Sequence, residues 1–93
     1  MIVIEHTNGD SKGFFKAVVD GKSAGKMTYV WAGEKQIIID HTEVGDAYAG
    51  QGIGKMMVEK AVVFSRENQL KVIPLCPFAK KMFDKYSEFA DVL

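Results

Sequence analysis

The segment AGQGIGK, residues Ala49–Lys55, has glycines at three alternate positions and lies between two regions of different periodicity. Runs of β-branched and aromatic residues typical of strands precede it, and apolar residues at helical spacing follow it. The segment is therefore predicted to be a turn from a strand into a helix. N–H groups at the start of a helix lack intrahelical acceptors and lie at the positive end of the helix dipole, so a glycine-rich turn there favours phosphate binding.

Two other interpretations of these glycines are open on the residues alone. The glycines can simply make a tight turn that binds no ligand. A dinucleotide-binding unit also has a glycine-rich turn, but that turn follows the first strand of a parallel sheet. Here the turn follows several strands and leaves room for only one further crossover, so the topology argues against a dinucleotide-binding unit.

The first half of the chain predicts an antiparallel meander of four strands. Asn8-Gly9 and Asp20-Gly21 are its strongest turn signals, because both central residues of a type I′ turn have positive φ, which Asn, Asp and Gly tolerate best. The expected strands are Met1–Glu5, Gly13–Val19, Lys26–Trp31 and Gln36–Val44.

The second half predicts a helix, a strand and a second helix. Apolar residues recur on one face of a long helix, a short apolar run with a proline near its end follows, and a second proline marks the start of another helix. A crossover through the long helix makes the fifth strand parallel to the fourth, which gives an α/β (α+β) fold. The expected elements are a helix from Ile53 to about Asn68, a strand over Leu70–Leu75 and, after Pro77, a helix over Phe78–Tyr86.

The composition indicates one soluble domain over residues 1–93. Twelve basic and twelve acidic residues give a net charge of zero, so no overall field favours nucleic acid or an anionic membrane. The single cysteine, Cys76, excludes an intramolecular disulfide, and His6 and His41 offer no zinc-ligand spacing, so no metal is expected. Glu5 interrupts the apolar N-terminus too early for a signal peptide, and no apolar run approaches the roughly 20 residues of a membrane helix. We expect a cytoplasmic monomer or weak homodimer in which the Ser87–Leu93 tail is loosely held.

The stretch VGDAYAGQGIG, residues Val44–Gly54, resembles the GNAT superfamily of acetyl-CoA-dependent acyltransferases. That family has Arg or Gln, two residues, Gly, one residue and then Gly or Ala after its fourth strand. Gly52 and Gly54 fit this pattern, and Ala49 stands where the family has Arg or Gln. The segments HTEV at 41–44 and CPFA at 76–79 are similar to a subgroup of short GNAT-like proteins of about this length, and the resemblance covers essentially the whole chain.

The resemblance implies that the fourth and fifth strands start as parallel neighbours and then splay apart. The pantetheine arm of coenzyme A lies in this splay, along the open edge of the fourth strand, and the glycine-rich turn binds the pyrophosphate. The residues so implied for binding acetyl-CoA or coenzyme A are Thr42, Glu43, Val44, Gly50, Gln51, Gly52, Ile53, Gly54, Lys55, Phe78 and Ala79.

The resemblance also implies transfer of an acetyl group to an amine of an unidentified acceptor, either a protein or a small molecule. Such a transfer needs a neutral amine, a polarised thioester carbonyl and a proton for the leaving thiolate. Cys76 is expected where the fifth strand ends, either as a proton donor or as a nucleophile that accepts the acetyl group. The nucleophile would need a neighbouring base, and His41 is the imidazole expected to reach it. Glu43 is a further candidate base.

Less reactive roles are also open for these side chains. Cys76 is also typical of a buried apolar residue that finishes a strand, and His41 of a strand histidine bonded to a neighbour, which are the commoner roles of such residues. Phe83 stands where the family commonly has a tyrosine as general acid. The alternative hypothesis is therefore a CoA-binding or protein-interaction module without turnover, and a third is a structural α/β domain that binds no ligand.

Overall fold

The computed structural model describes all residues from 1 to 93. Four strands, a helix, a fifth strand and a second helix follow in the predicted order, with a short 3₁₀ helix before the first α-helix and another at the C-terminus. The elements are β1 (Ile2–Asn8), β2 (Lys12–Val19), β3 (Lys22–Trp31), β4 (Gln36–Val44), a 3₁₀ helix (Asp46–Tyr48), α1 (Ile53–Asn68), β5 (Lys71–Pro74), α2 (Pro77–Lys85) and the C-terminal 3₁₀ helix (Ser87–Val92).

The strands form one five-stranded sheet in the order β1-β2-β3-β4-β5. The first four strands are antiparallel neighbours, and β5 pairs in parallel with β4. Parallel neighbours need a long crossover connection, and α1 provides it. The predicted α/β (α+β) fold, with its four-strand meander and parallel fifth strand, is confirmed.

The turn between β2 and β3 is the type I′ turn that the sequence predicts. Asp20 and Gly21 have φ of 50° and 81°. Because two residues suffice for this turn, Val19 pairs directly with Lys22. The strand β3 consequently begins at Lys22 rather than at Lys26.

The prediction of a type I′ turn at Asn8-Gly9 is wrong. Neither residue has positive φ, and Asn8 is the last residue of β1. Its side-chain oxygen accepts hydrogen bonds from the Tyr29 hydroxyl and from Trp31 Nε1, each at 3.0 Å. These bonds to β3 hold Asn8 in the sheet, and the chain turns later, where the Gly9 N–H donates to the carbonyl of Lys12 at 2.9 Å.

A β-bulge at Asp40 lies where β4 and β5 part. Consecutive residues of β3 pair with His41 and Ile39, so Asp40 is an extra residue on β4. The parallel ladder ends at the pair of Ile39 with Pro74, whereas β4 continues to Val44. Beyond the bulge one edge of β4 has no neighbouring strand, which is the splay that the resemblance implies.

The hydrophobic core lies between one face of the sheet and the helices. Nineteen buried residues form a single cluster to which α1, α2 and the C-terminal 3₁₀ helix all contribute. The opposite face of the sheet has no helix over it, and Ile73 and Leu75 remain 39% and 66% exposed there. Neither α-helix combines the length and the apolar composition needed to cross a membrane.

The prediction that the Ser87–Leu93 tail is loosely held is wrong. Phe89 and Val92 are buried in the core cluster, and the 3₁₀ helix that contains them contacts both α1 and α2. Arg66 of α1 donates two hydrogen bonds to the Asp91 carboxylate, at 2.8 and 2.7 Å. The tail is held because its two apolar side chains, one helical turn apart, complete the core.

Candidate active site

Six consecutive N–H groups, from Gly50 to Lys55, have no acceptor within the chain, and the first bond of α1 runs from the Met56 N–H to the Gly52 carbonyl at 3.0 Å. Gly50 and Gly52 have φ of 82° and 75°, a region that costs other residues about 1–2 kcal/mol. No atom lies within 4 Å of the points where their β-carbons would be. The turn therefore presents donors at the positive end of a 16-residue helix, with open space in front of them.

A cleft of about 390 Å³ lies between this turn and α2. Within it, Phe78 of α2 packs so closely on Gly54 that a β-carbon at Gly54 would overlap the ring. The ammonium groups of Lys55 and Lys85 lie 4.2 and 5.5 Å from the centre of the Tyr86 ring. One wall of the cleft thus offers backbone donors, and two cations lie beside it.

The free edge of β4 leads into this cleft. The Gly45 N–H donates to the carbonyl of Ala24 on β3 at 2.8 Å. Because backbone groups alternate in direction along a strand, the N–H and carbonyl groups of Thr42 and Val44 point away from β3, toward the splay. Neither Thr42 nor Val44 donates a hydrogen bond to Leu75 or Cys76, which follow β5.

Cys76 lies where β5 ends and α2 begins. It is 5% exposed and occupies the N-cap position of α2, where its Sγ accepts the Ala79 N–H at 3.3 Å. The same Sγ lies 3.3 Å from Thr42 Oγ1 across the splay. The N–H group and the start of the helix both favour negative charge at this sulfur.

The structure does not bring His41 to Cys76. The two side chains are separated by β4, since Thr42 faces Cys76 and the neighbouring His41 faces the open side of the sheet. His41 Nε2 lies 3.9 Å from a carboxylate oxygen of Glu43, and both side chains are exposed. The Cys76–His41 pair expected from the sequence is therefore not formed, because the bulge at Asp40 changes which residues share a face.

The other residues implied for coenzyme A have distinct environments. Ile53 and Ala79 are buried in the core cluster, Gln51 is exposed, and Lys55 lines the cleft. Ala49, at the position where the family has Arg or Gln, also lines the cleft, and four further residues there were missed in the sequence. The helical spacing of Met82, Lys85 and Tyr86 from Phe78 was the signal for three of them, whereas Tyr48 depends on the 3₁₀ helix. The four missed residues are Tyr48, Met82, Lys85 and Tyr86.

The chain is similar to known proteins over most of its length. The family model described as GCN5-related N-acetyl-transferase matches residues 14–92. The solved structure of a GCN5-like protein from Staphylococcus aureus is 37% identical, covers 95% of this chain and 85% of that chain, and has a TM-score of 0.73. A GNAT family acetyltransferase from Elizabethkingia anophelis, solved with acetyl-CoA bound, shares the fold at 13% identity, with a TM-score of 0.66 over 76% of this chain and 62% of that one.

A curated relative, the protein NATD1 of Xenopus tropicalis, is 36% identical over 55 residues, which are 59% of this chain and 50% of the relative. The chain thus spans about half the length of the curated relatives it matches. The family model, in contrast, extends from β2 to the C-terminal 3₁₀ helix and includes both the glycine-rich turn and the splay. With this match and the parallel pairing of β4 and β5, the chain belongs to the GCN5-related N-acetyltransferase (GNAT) family.

Proposed function

We propose that the chain binds acetyl-CoA through the Gly50–Lys55 turn and transfers the acetyl group to an amine. The observation that carries this proposal is the row of six unbonded N–H groups at the start of α1, beside the splay. A diphosphate accepts hydrogen bonds from such groups, and the helix dipole favours its charge. Lys55 and Lys85 add positive charge at the same cleft. Ala49 contributes no side-chain charge, so the backbone N–H groups supply most of the hydrogen bonds to the diphosphate.

The pantetheine arm would lie along the free edge of β4. Its amide groups can pair with the N–H and carbonyl groups of Thr42 and Val44 as a neighbouring strand would. This pairing satisfies backbone groups that β5 leaves without a partner. The thioester then lies near Cys76, where the splay begins.

Acetyl transfer forms a bond between the amine nitrogen and the carbonyl carbon and breaks the bond between that carbon and the sulfur of coenzyme A. The amine loses a proton and the leaving thiolate gains one, so the products are an N-acetyl amine and the free thiol. Cys76 is proposed to give its S–H proton to the leaving thiolate. The Ala79 N–H, 3.3 Å from Sγ, stabilises the charge left on Sγ, and the proton released by the amine restores the thiol.

The contacts of Cys76 favour this role over formation of an acetyl-cysteine. A thiol that accepts an acyl group needs an adjacent base, and the partners of Cys76 Sγ are Thr42 and the Ala79 N–H. His41 and Glu43 lie on the open face of the sheet. There they are candidates for taking up the proton that an ammonium acceptor loses before it attacks, whereas the proton that the amine releases after attack restores the Cys76 thiol.

Incubation with acetyl-CoA labelled in the acetyl group, together with a panel of amines and peptides, tests the transfer. The expected result is a labelled N-acetyl product and no label on Cys76 by mass spectrometry. NMR titration with coenzyme A tests binding by itself, because the N–H signals of Gly50–Lys55 should shift. No product and no shift of these signals would contradict the proposal.

Gly33 offers a matched control for the glycine-rich turn. Gly33 and Gly52 have φ of 84° and 75°, and both have open space around the β-carbon position. Gly52→Ala should weaken coenzyme A binding about tenfold, because the methyl group fills the space before the donors and strains the turn. Gly33→Ala carries the same strain far from the turn and should leave binding unchanged.

The alternative is a CoA-binding module without turnover. Phe83, at the position where the family commonly has a tyrosine, is 4% exposed, and its ring centre lies 6.1 Å from that of Phe89 in the core. That position supplies no proton. Calorimetric titration that shows coenzyme A binding, without product from any amine, would favour this alternative over the transferase.

A further inference from the structure

The open face of the sheet carries a trough of about 470 Å³, larger than the cleft beside the glycine-rich turn. It lies across β2, β3 and β4, on the side that no helix covers. A volume of this size suits a small molecule. We call it the open-face trough. Six side chains of the open face line it, those of Lys12, Phe14, Lys26, Thr28, Val30 and Asp40.

The trough has an apolar part between two cations. Phe14 and Val30 are half-buried and offer apolar surface. The ammonium group of Lys26 lies 4.3 Å from the centre of the Phe14 ring. Lys12 and Lys26 thus bring positive charge to a site that also has room for an apolar side chain.

The third charged group of the trough is an acid that lies at the splay. Thr28 Oγ1 donates a hydrogen bond of 2.6 Å to Asp40 Oδ1, which orients the carboxylate, and Oδ2 has no partner within the chain. Asp40 is the bulged residue at which β4 leaves β5. A cation held by this carboxylate would therefore lie on the face opposite the helices, above the strand that forms one side of the slot.

We propose that the open-face trough binds the acetyl acceptor and that this acceptor is an amine carrying a carboxylate, as an amino acid does. The ammonium groups of Lys12 and Lys26 attract the carboxylate from the two ends of the apolar part, Phe14 and Val30 contact an apolar side chain, and Asp40 binds the ammonium group of the acceptor. The ammonium group first loses one proton, to His41 or Glu43 on the same face, and the neutral amine then attacks the carbonyl carbon of the thioester across the slot. This inference rests on the transferase function proposed above, because only that function makes the trough an acceptor site.

The two lysines of the trough disfavour an acceptor that carries only positive charge. A polyamine or a lysine-rich peptide would be repelled by Lys12 and Lys26, whereas an acceptor with a negative group gains from both. The acid and the two lysines are drawn from β2, β3 and β4, so the pattern is present only in the folded sheet.

Three acceptors that share one apolar group provide the test: leucine, leucine amide and 3-methylbutylamine. The double variant Lys12→Gln/Lys26→Gln should lower kcat/KM for leucine about fivefold, because two favourable charge contacts are lost. It should leave kcat/KM for leucine amide and 3-methylbutylamine little changed. Each acceptor is compared with itself across the variants, so differences in amine basicity cancel.

Lys22→Gln is the matched control, since Lys22 is exposed at the start of β3 and lies outside the trough. It removes a positive charge from the same strand as Lys26 and should not alter the preference for leucine. An equal fall in kcat/KM for all three acceptors in the double variant would overturn the inference.

Failure of this inference is distinguishable from failure of the transferase proposal. NMR titration of the free protein with leucine should shift the N–H signals of Thr28 and Asp40, and 3-methylbutylamine should shift them less. Coenzyme A is titrated separately against Gly50–Lys55. If coenzyme A shifts its own segment and leucine leaves Thr28 and Asp40 unmoved, the trough is not the acceptor site and the transferase proposal stands. If leucine shifts them and coenzyme A shifts nothing, the trough binds amino acids and the transferase proposal fails.

Discussion

The ring of Phe78 occupies the space that a β-carbon at Gly54 would need, so these two residues fix how closely α2 approaches α1. Gly54 lies in the first turn of α1, where an alanine would ordinarily be favoured. Its φ is not positive, so backbone strain does not explain the glycine. The contact with Phe78 does explain it, and it closes one side of the cleft beneath the unbonded N–H groups.

We expect Gly54→Ala to lower the free energy of unfolding by about 1–2 kcal/mol, because the added methyl group overpacks against the Phe78 ring. In a Phe78→Ala background the same change should raise the free energy of unfolding by about 0.5–1 kcal/mol, the gain in helix propensity. Urea denaturation of the four proteins of this double-mutant cycle measures the two values. The same sign in both backgrounds would show that Phe78 is not the cause.

The proton-donor role proposed for Cys76 predicts a change in kcat without a change in coenzyme A binding. Cys76→Ala should lower kcat about 100-fold, the low end of what a general acid contributes. Cys76→Ser keeps the N-cap of α2, since a serine hydroxyl can accept the Ala79 N–H. It therefore controls for loss of structure at the start of the helix. Turnover by Cys76→Ala at the rate of the unaltered protein would assign the proton to another group.

The burial of Phe89 predicts that the C-terminal segment contributes to stability. Phe89→Ala should lower the free energy of unfolding by about 3 kcal/mol, because its ring is 5% exposed within the core cluster. Glu88→Ala changes an exposed neighbour in the same 3₁₀ helix and should have little effect. Thermal denaturation of both variants checks this. A negligible effect of Phe89→Ala on the free energy of unfolding would support the prediction that the tail is loosely held.

The environment of His6 predicts that the stability of the protein depends on pH. Its ring stacks on Phe15 with centres 4.1 Å apart, and its Nε2 lies 2.7 Å from the Tyr29 hydroxyl. Burial lowers the pKa of His6 from its usual 6.5, and burial also raises the pKa of Tyr29 to about 12. Above pH 6.5 the imidazole is neutral in both states and the stability it contributes is fully present. As the pH falls below 6.5, the unfolded chain takes up the proton before the folded protein does. The free energy of unfolding therefore decreases until the pH has passed below the lowered pKa of His6 in the folded state.

The measurement is the free energy of unfolding at several pH values below 7. His6→Gln should flatten the fall, and His41→Gln, which removes the other imidazole from an exposed strand position, should retain it. A fall that is as steep in His6→Gln as in the unaltered protein would refute the assignment to His6.

Local sequence patterns were sufficient for most of the elements. The bounds of β4 and α1 agree with the prediction because the strand pattern ends at Val44 and the helical stripe begins at Ile53. The turn at Asp20-Gly21 was predictable because positive φ is a property of the residues themselves. The turn at Asn8-Gly9 was not, since hydrogen bonds from Tyr29 and Trp31, distant in sequence, hold Asn8 in β1.

The sequence by itself determined the order of strands and helices and the position of the glycine-rich turn, because backbone conformation and unbonded helix-start N–H groups are local properties. The tertiary structure alone decided which side chains share a face of β4. Straight alternation would place His41 with Ile37 and Ile39 on the helix side, near Cys76. The extra residue in the bulge shifts the alternation by one, so Thr42 meets Cys76 while His41 faces the open side.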